Sequence, residues 1–344
     1  MDYFYAACEE LRKPEIIGKP VIVGADPKSG KGRGVVMTCN YEARKYGIHS
    51  AMPISIAYRT KPDAIFLPMD YAYYEETSGK VMQVLKNFAD DFEQVSIDEA
   101  YLDISSKADS FEGAAAYAKK IKDAVKEKVG LNCSIGVSFN KLLAKMASDA
   151  AKPNGIKVVE EDKVHAFLDS MPVRKLYSVG EKTGERLAAM GYGTIGKLSK
   201  ANKMELIAEF GSIGLELHNY ANGIDESRLM QAALAKSIGR EMTFETDTYN
   251  RDEIESGLRK LSEEVAKETV KGGFAFSIVT VKLRYGDFSE KLKSKSIKPS
   301  SDVKEIYETA VKLYLDNAEK NRKLRKIGVR VSGLIQYGKQ RRLG

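Results

Sequence analysis

Apolar and polar positions change their period along the chain, and each change predicts an element. Residues 20–24 and 35–38 are short continuous apolar runs of strand length. The segment between them, DPKSGKGRG, is rich in Gly and Lys. It lacks the order of a phosphate loop and precedes a strand where such a loop needs a helix, so it reads as an exposed hairpin loop. Residues 40–57 predict short helical pieces, and 70–88 a longer amphipathic helix. Residues 93–96 and 100–104 read as strands of a buried hairpin, with Ile97-Asp98-Glu99 at the join. Residues 110–128 predict a helix with an apolar stripe at Ala114, Tyr117, Ala118, Ile121 and Val125. A strand over 132–137 and a helix over 141–150 follow, and Lys152-Pro153-Asn154-Gly155 closes that helix. This mixture predicts an α+β fold with helices on one face of an antiparallel sheet.

From 160 to 227 the pattern is helical in short pieces, with two helices predicted around Val179-Gly180. Helix N-terminal amides beside Gly180 can hold a phosphate without reading sequence. Residues 229–236 read as a linker. Strands at 237–245, 274–285, 290–297 and 327–336, with helices at 252–270 and 301–317, form a βαββαβ module. Lys291, Lys293 and Lys295 alternate along one strand, and Lys282 and Arg284 along another, so each set shares a strand face. KNRKLRKIGVR adds Lys320, Arg322, Lys323, Arg325, Lys326 and Arg330. Such a basic sheet face suits a phosphate backbone.

Charge sharpens this division. The formal net charge is +7, yet residues 236–344 carry 24 Lys and Arg against 16 Asp and Glu, a net of +8. The basic excess therefore lies in the last third, as in a nucleic-acid-binding module joined to a nearly neutral body. At 43% apolar and 30% charged the chain is globular rather than disordered. No apolar run reaches the length of a membrane span, and the N-terminus does not read as a signal peptide. Cys8, Cys39 and Cys133 lie far apart without a CxxC pair, so neither a zinc site nor a disulfide framework is indicated, and a cytoplasmic setting fits. With three His, any metal falls to oxygen ligands, which suits Mg2+ or Mn2+.

Those ligands direct attention to QVSIDEAYLD, which holds Asp98, Glu99 and Asp103. At a hairpin join Asp98 and Glu99 could reach one point, where they repel unless a cation separates them. They could equally be exposed turn residues, and the residues alone leave both readings open. The opening MDYFYAACEE raises the question of whether the two stretches share a site.

SIDEAYLD, an opening DYFYA, then TCNYEARKYG and AKPNGI, in this order and spacing, resemble the Y-family translesion DNA polymerases of the DNA polymerase IV type, archaeal or bacterial. The resemblance extends over nearly the whole chain. It implies a right-hand, multidomain α+β architecture: palm at 1–11 and 71–160, fingers at 12–70, helical thumb at 161–227, linker at 228–236 and a C-terminal little finger at 237–344. It implies template-directed, low-fidelity DNA synthesis past lesions, with two Mg2+ ions (or Mn2+), primer-template DNA and dNTPs, by a monomer. By resemblance Asp98 is a metal ligand and Glu99 the catalytic acid near the primer 3′-hydroxyl, while Asp103 is structural. Tyr41, Arg44 and Lys152 resemble the triphosphate contacts, Thr38 adds a hydroxyl, and Tyr5 resembles the steric gate, with Phe4 its packing neighbour and a further nucleotide contact.

The sequence also departs from the family pattern. That pattern has two aspartates one residue apart, the first bridging both ions. Here Asp2 matches the second, and Met1 the position that offers only a backbone carbonyl. The expectation is that an upstream strand ending in Asp is needed for activity, and that the chain as given is nearly inactive. The alternative is a non-catalytic DNA-binding relative. A palm-type nucleotidyl cyclase would also pair carboxylates but would need no basic C-terminal sheet. Ser178 stands where the family commonly has Gly. The terminal QYGKQRRLG lacks the usual sliding-clamp peptide, so any clamp contact is expected elsewhere.

Overall fold

A computed structural model describes residues 1–230, 235–319 and 321–336. Residues 231–234 of the 229–236 linker, Lys320 and the terminal stretch after Gln336 lie outside the described residues. The chain forms two compact units, Met1–Ala232 and Ala233–Gly344.

The first unit begins with α1 (Phe4–Arg12), which buries Phe4, Ala6, Cys8 and Glu9. The strands β1 (Val21–Gly24), β2 (Val36–Cys39) and β3 (Ile65–Leu67) form a sheet in the order β2-β1-β3. The Gly/Lys-rich segment joins β1 to β2 as an antiparallel hairpin, as its sequence predicts. The helices α2 (Tyr41–Arg44) and α3 (Ile54–Thr60) close a small core around Ile22, Val36 and Ile54. Asn40 is 2% exposed and organises this region. Its side chain accepts from Val21 N and Ala43 N, both at 3.0 Å, and donates to Lys19 O at 2.7 Å. It thereby caps α2 and fixes the helix that carries Tyr41 and Arg44.

The long helices α4 (Tyr71–Lys86) and α5 (Phe111–Val129) are capped by Asp70 and Ser110. The α5 stripe is buried at Ala114, Ala118, Ile121 and Val125, as its spacing predicts. Between the two helices, β4 (Asp91–Gln94) and β5 (Ala100–Asp103) pair antiparallel. The sequence predicts a buried hairpin whose first strand runs to Ser96. Instead β4 ends at Gln94, both strands are at most half-buried, and Val95 is 47% exposed. A separate parallel pair, β6 (Ile135–Val137) and β7 (Ile156–Val158), flanks α6 (Lys141–Ala150). The strand β7 has no separate signal in the sequence, because three residues are too few to show a period.

The helices α7 (Val164–Leu168), α8 (Glu181–Ala189), α9 (Ile195–Leu198), α10 (Lys203–Phe210) and α11 (Ser212–Ala221) share a core with α6. The expected helix before Gly180 is only a 3₁₀ turn at Val173–Lys175 followed by extended Leu176.

The second unit is βαββαβ as predicted: β8 (Ser237–Thr248), α12 (Arg251–Lys271), β9 (Phe274–Tyr285), β10 (Glu290–Ser300), α13 (Val303–Asn317) and β11 (Leu324–Ser332). The sheet runs β10-β9-β11-β8 and is antiparallel throughout. The predicted last strand breaks at Gly333, whose φ is +63°, and β12 (Ile335–Gln336) continues it against β9. Leu258, Val265, Val281, Leu283 and Ile306 are among the residues that fill the core under the two helices.

Candidate active site

The turn that carries Asp98 and Glu99 is held by side chains from three directions. Ser78, 3% exposed on α4, donates to Ile97 O. Ser96 Oγ donates to Asp98 Oδ1 at 2.8 Å, and Val95 N donates to Glu99 O at 3.0 Å. From α6, Lys145 Nζ pairs with Glu99 and lies 3.5 Å from Asp149. Burial opposes the Lys145 charge, but the hydrogen bond it donates to Glu99 and the charges of Asp149 and Glu99 hold its pKa above the usual value. The Met1 ammonium donates to Asp98 O at 2.7 Å, so the opening residues do lie against the hairpin.

Beside this turn lies a cavity of about 180 Å³ between β5 and β6. Met1, Asp98, Glu99, Lys145 and Lys152 line its polar side, with Leu102 and Ile135 among its apolar residues. Lys152 pairs with Asp149 at 2.7 Å. The structure therefore gathers the expected Asp98, Glu99, Met1 and Lys152.

Asp2 is used elsewhere. It is 1% exposed, and its carboxylate accepts from Ser134 Oγ at 2.9 and 3.1 Å and from Asn154 N at 2.6 Å. It fixes the turn after Lys152. Asp103 is also occupied locally, accepting from Ser105 N at 2.9 Å and Ser105 Oγ at 2.6 Å. Among the described residues, no group of three or more His, Cys, Asp or Glu side chains could hold a metal. Asp98 and Glu99 nevertheless supply hard, anionic oxygen donors, and the Lys145 ammonium already stands against Glu99 as a cation. That chemistry fits a divalent cation with oxygen preference, with both carboxylates as part of its shell.

Tyr5 lies on α1, close enough to Asp98 to feel its charge. Burial raises its pKa first, and the nearby Tyr71 and the Asp98 charge add to the rise. Its ring lies 4.8 Å from that of Tyr74 and 6.3 Å from that of Tyr71. Phe4, named above as a possible nucleotide contact, is 3% exposed in the core. Its ring packs beside Tyr5, with centroids 5.8 Å apart. Thr38 is 7% exposed in β2. The Arg44 guanidinium lies 4.9 Å from the Tyr41 ring centroid. The Tyr41 hydroxyl is buried without a hydrogen-bond partner, and the ring packs edge-on against Tyr3 at 5.2 Å. An unpaired buried hydroxyl beside an exposed guanidinium is a place for an anionic oxygen.

Gly180 is the N-cap of α8, has no side chain, and leaves the first amides of that helix without a side-chain acceptor. Ser178 adopts φ +69°, the left-handed region where glycine is favoured, and this accounts physically for the Gly the family commonly has there.

In the second unit the strand register separates the basic residues. Directly opposed residues of an antiparallel pair share a face. Lys291, Lys293 and Lys295 oppose Leu283, Val281 and Val279, which are buried under the helices. These three lysines therefore belong to the helix side and project from the edge strand. Lys282 and Arg284 share the open face with Lys326 and Arg330. The expectation of one basic sheet face thus divides in two. The sequence shows period, but only the register shows which strand faces coincide. The open face is also partly neutralised. Glu241 lies 3.1 Å from Lys282 and 2.9 Å from Lys326, and Glu290 pairs with Lys282 and Arg284. Among the described residues Arg330 makes no ion pair, and Arg325 stacks 4.7 Å over Phe288.

Residues 1–149 match the impB/mucB/samB family, 161–192 the HHH motif of that family, and 235–343 its C-terminal domain. DNA polymerase IV 2 of Methanosarcina mazei is 44% identical over all of this chain and 93% of its own length. DNA polymerase IV of Streptococcus pneumoniae is 39% identical over 97% of this chain and 95% of its own. Among solved structures, a chimeric Y-family DNA polymerase built from Dbh and Dpo4 aligns with a TM-score of 0.88 at 32% identity, covering 97% of both chains. DinB from Sulfolobus solfataricus aligns with a TM-score of 0.65 at 32% identity over the same shares.

Proposed function

The chain belongs to the impB/mucB/samB family of Y-family polymerases, and from that premise we propose that it is a template-directed DNA polymerase used for translesion synthesis. The observation that carries the reading to this chain's own residues is the meeting of Asp98, Glu99 and Lys152 around one cavity, with Tyr5 within reach of the Asp98 charge. We take 1–11 and 71–160 as palm, 12–70 as fingers, 161–227 as thumb and 237–344 as little finger. A monomer in the cytoplasm is consistent with this. No helix among the described residues is long and apolar enough to cross a membrane.

Asp98 and Glu99 would hold divalent metal, for which two Mg2+ ions are proposed. Such ions, when bound, favour loss of the primer hydroxyl proton and neutralise the pyrophosphate leaving group. Arg44 and Lys152 donate to phosphate oxygens whose charge grows during transfer, and the Tyr41 hydroxyl completes that set. The Tyr5 ring excludes a ribose 2′-hydroxyl. Lys282, Arg284 and Arg330 on the open sheet face, and the amides after Gly180, grip backbone phosphates without reading sequence. Lys291, Lys293 and Lys295 form a second basic surface on the same module, and Arg325, held over Phe288, is a further phosphate contact.

A non-catalytic DNA-binding relative is the second reading, favoured by one observation: only two carboxylates meet at the site among the described residues. Primer extension with Mg2+ separates the two. It is measured for this chain alone and for the chain joined upstream to an apolar strand ending in Asp. The proposal expects extension in at least one version. Salt-sensitive DNA binding without extension in either version supports the second reading.

A further inference from the structure

Glu9 is a carboxylate that the proposed reaction does not use. It is 0% exposed. A bare charge there would be strongly unfavourable, so its partners matter. Arg12 meets it with two bonds, Nε to Oε2 at 3.0 Å and Nη2 to Oε1 at 2.7 Å. The Tyr74 hydroxyl donates to Oε1 at 2.7 Å, and Tyr74 is itself fully buried. Arg12 also bonds the Asp70 carboxylate at 2.8 Å, and Asp70 caps α4, the helix that carries Tyr74. The helices α1 and α4 are thus tied together at two points around one ring.

That ring is the backing of Tyr5. The two centroids are 4.8 Å apart with the planes inclined by 33°, while Tyr71 meets Tyr5 edge-on at 78°. Tyr5, Glu9 and Arg12 fall at i, i+4 and i+7, along one face of α1. The load-carrying order runs from Arg12 to Glu9, from Glu9 to the Tyr74 hydroxyl, and from the Tyr74 ring to Tyr5.

We propose that Glu9 is a positioning residue for sugar selection: through the Tyr74 hydroxyl it fixes the ring that backs Tyr5, and so determines how strictly a ribose 2′-hydroxyl is excluded. The proposal rests on the reading of Tyr5 as the sugar gate. Glu9 touches no substrate, so its loss changes discrimination more than turnover of the correct substrate.

The test compares Glu9→Leu, Glu9→Gln and Tyr74→Phe with the parent, in single-nucleotide primer extension with dNTP and with rNTP. In Glu9→Leu and Tyr74→Phe the ratio of rNTP to dNTP kcat/KM is expected to rise about tenfold, while dNTP incorporation stays within about threefold. Glu9→Gln keeps an oxygen that accepts from Tyr74 and is expected to stay near the parent. Tyr74→Phe removes one oxygen only and guards against a failure to fold. Equal losses with both nucleotides, or an unchanged ratio, overturn the proposal. Tyr5→Ala tests the gate itself: if the ratio does not rise there, the gate reading fails, and with it the proposal's premise. Should primer extension be absent, fluorotyrosine NMR decides the positioning role alone. The Tyr5 signal, assigned with Tyr5→Phe, is expected to broaden or shift in Glu9→Leu and Tyr74→Phe, and an unchanged signal overturns it.

Discussion

In the C-terminal unit β9 runs for 12 residues and pairs with β10 on one side and β11 on the other. In the first unit the hairpin that carries Asp98 and Glu99 has strands of 4 residues and pairs with nothing beyond itself among the described residues. The long ladder makes a platform whose shape is set by backbone bonds and a full core. The short hairpin cannot set its own shape. Its turn is placed by Ser78 from α4, by Lys145 from α6 and by the ammonium of Met1. On the proposed function, binding and chemistry are supported differently in the two regions. A phosphate grip tolerates a broad basic surface, whereas a metal site needs donors placed to fractions of an ångström.

The largest expected effect breaks the chemistry and spares the platform. In the faster of the two versions described above, Glu99→Gln is expected to lower single-turnover primer extension by about 10²–10³-fold, the scale of losing one electrostatic group at a phosphoryl-transfer centre. An effect below tenfold would remove Glu99 from the reaction.

Next come two stability changes that set the regions against each other. Leu283 is 1% exposed in the sheet core, and Leu283→Ala is expected to cost about 2–5 kcal/mol in urea denaturation. Ser78→Ala removes one bond to the hairpin turn and is expected to cost about 1–2 kcal/mol. It should also slow primer extension, which Leu283→Ala leaves alone where the protein stays folded. The reverse pattern would contradict the division of labour.

The two basic surfaces can be ranked by salt. Each lost phosphate contact should reduce the slope of log affinity against log salt by about 1. Lys282→Ala with Arg330→Ala is expected to flatten the slope by about 2 if the open face holds DNA. Lys293→Ala with Lys295→Ala tests the helix-side edge in the same titration. A larger change in the second pair would move the DNA to the edge strand.

The smallest effect is in acid. Hydrogen bonds from Lys107 and Ser106 hold the Asp90 pKa at about 2, at the base of the hairpin. A depressed carboxylate pKa stabilises the folded state above the unfolded pKa, near 4, and the contribution is lost as pH falls through about 2. Asp90→Asn should therefore reduce the pH dependence of unfolding between about pH 4 and 2, and the difference should vanish at the acid end. An unchanged pH profile would show that Asp90 is not tied in solution.

The sequence makes these regions legible to different degrees. The βαββαβ order, the Ala114–Ile121–Val125 stripe and the α6 boundaries all follow from period, because long elements repeat their signal. The carboxylate pair is found by its motif, yet the hairpin around it is less buried than its apolar residues suggest, since Val95 and Ser96 turn out of β4. The division of Lys291, Lys293 and Lys295 from Lys282 and Arg284 depends on register, which no single strand contains. Lys145 and Glu9 are missed because their partners are 46 and 65 residues away, at Glu99 and Tyr74. The i, i+4, i+7 spacing of Tyr5, Glu9 and Arg12 is the one local signal that points to the second of these.

The most direct test of the account measures two quantities on one variant. Asp98→Asn removes a carboxylate charge from the hairpin and leaves the C-terminal unit untouched. Metal-dependent primer extension is expected to fall by about 10³-fold or more, while affinity for primer-template DNA stays within about threefold at the same salt. Extension at the parental rate, or a parallel loss of DNA affinity, would contradict it.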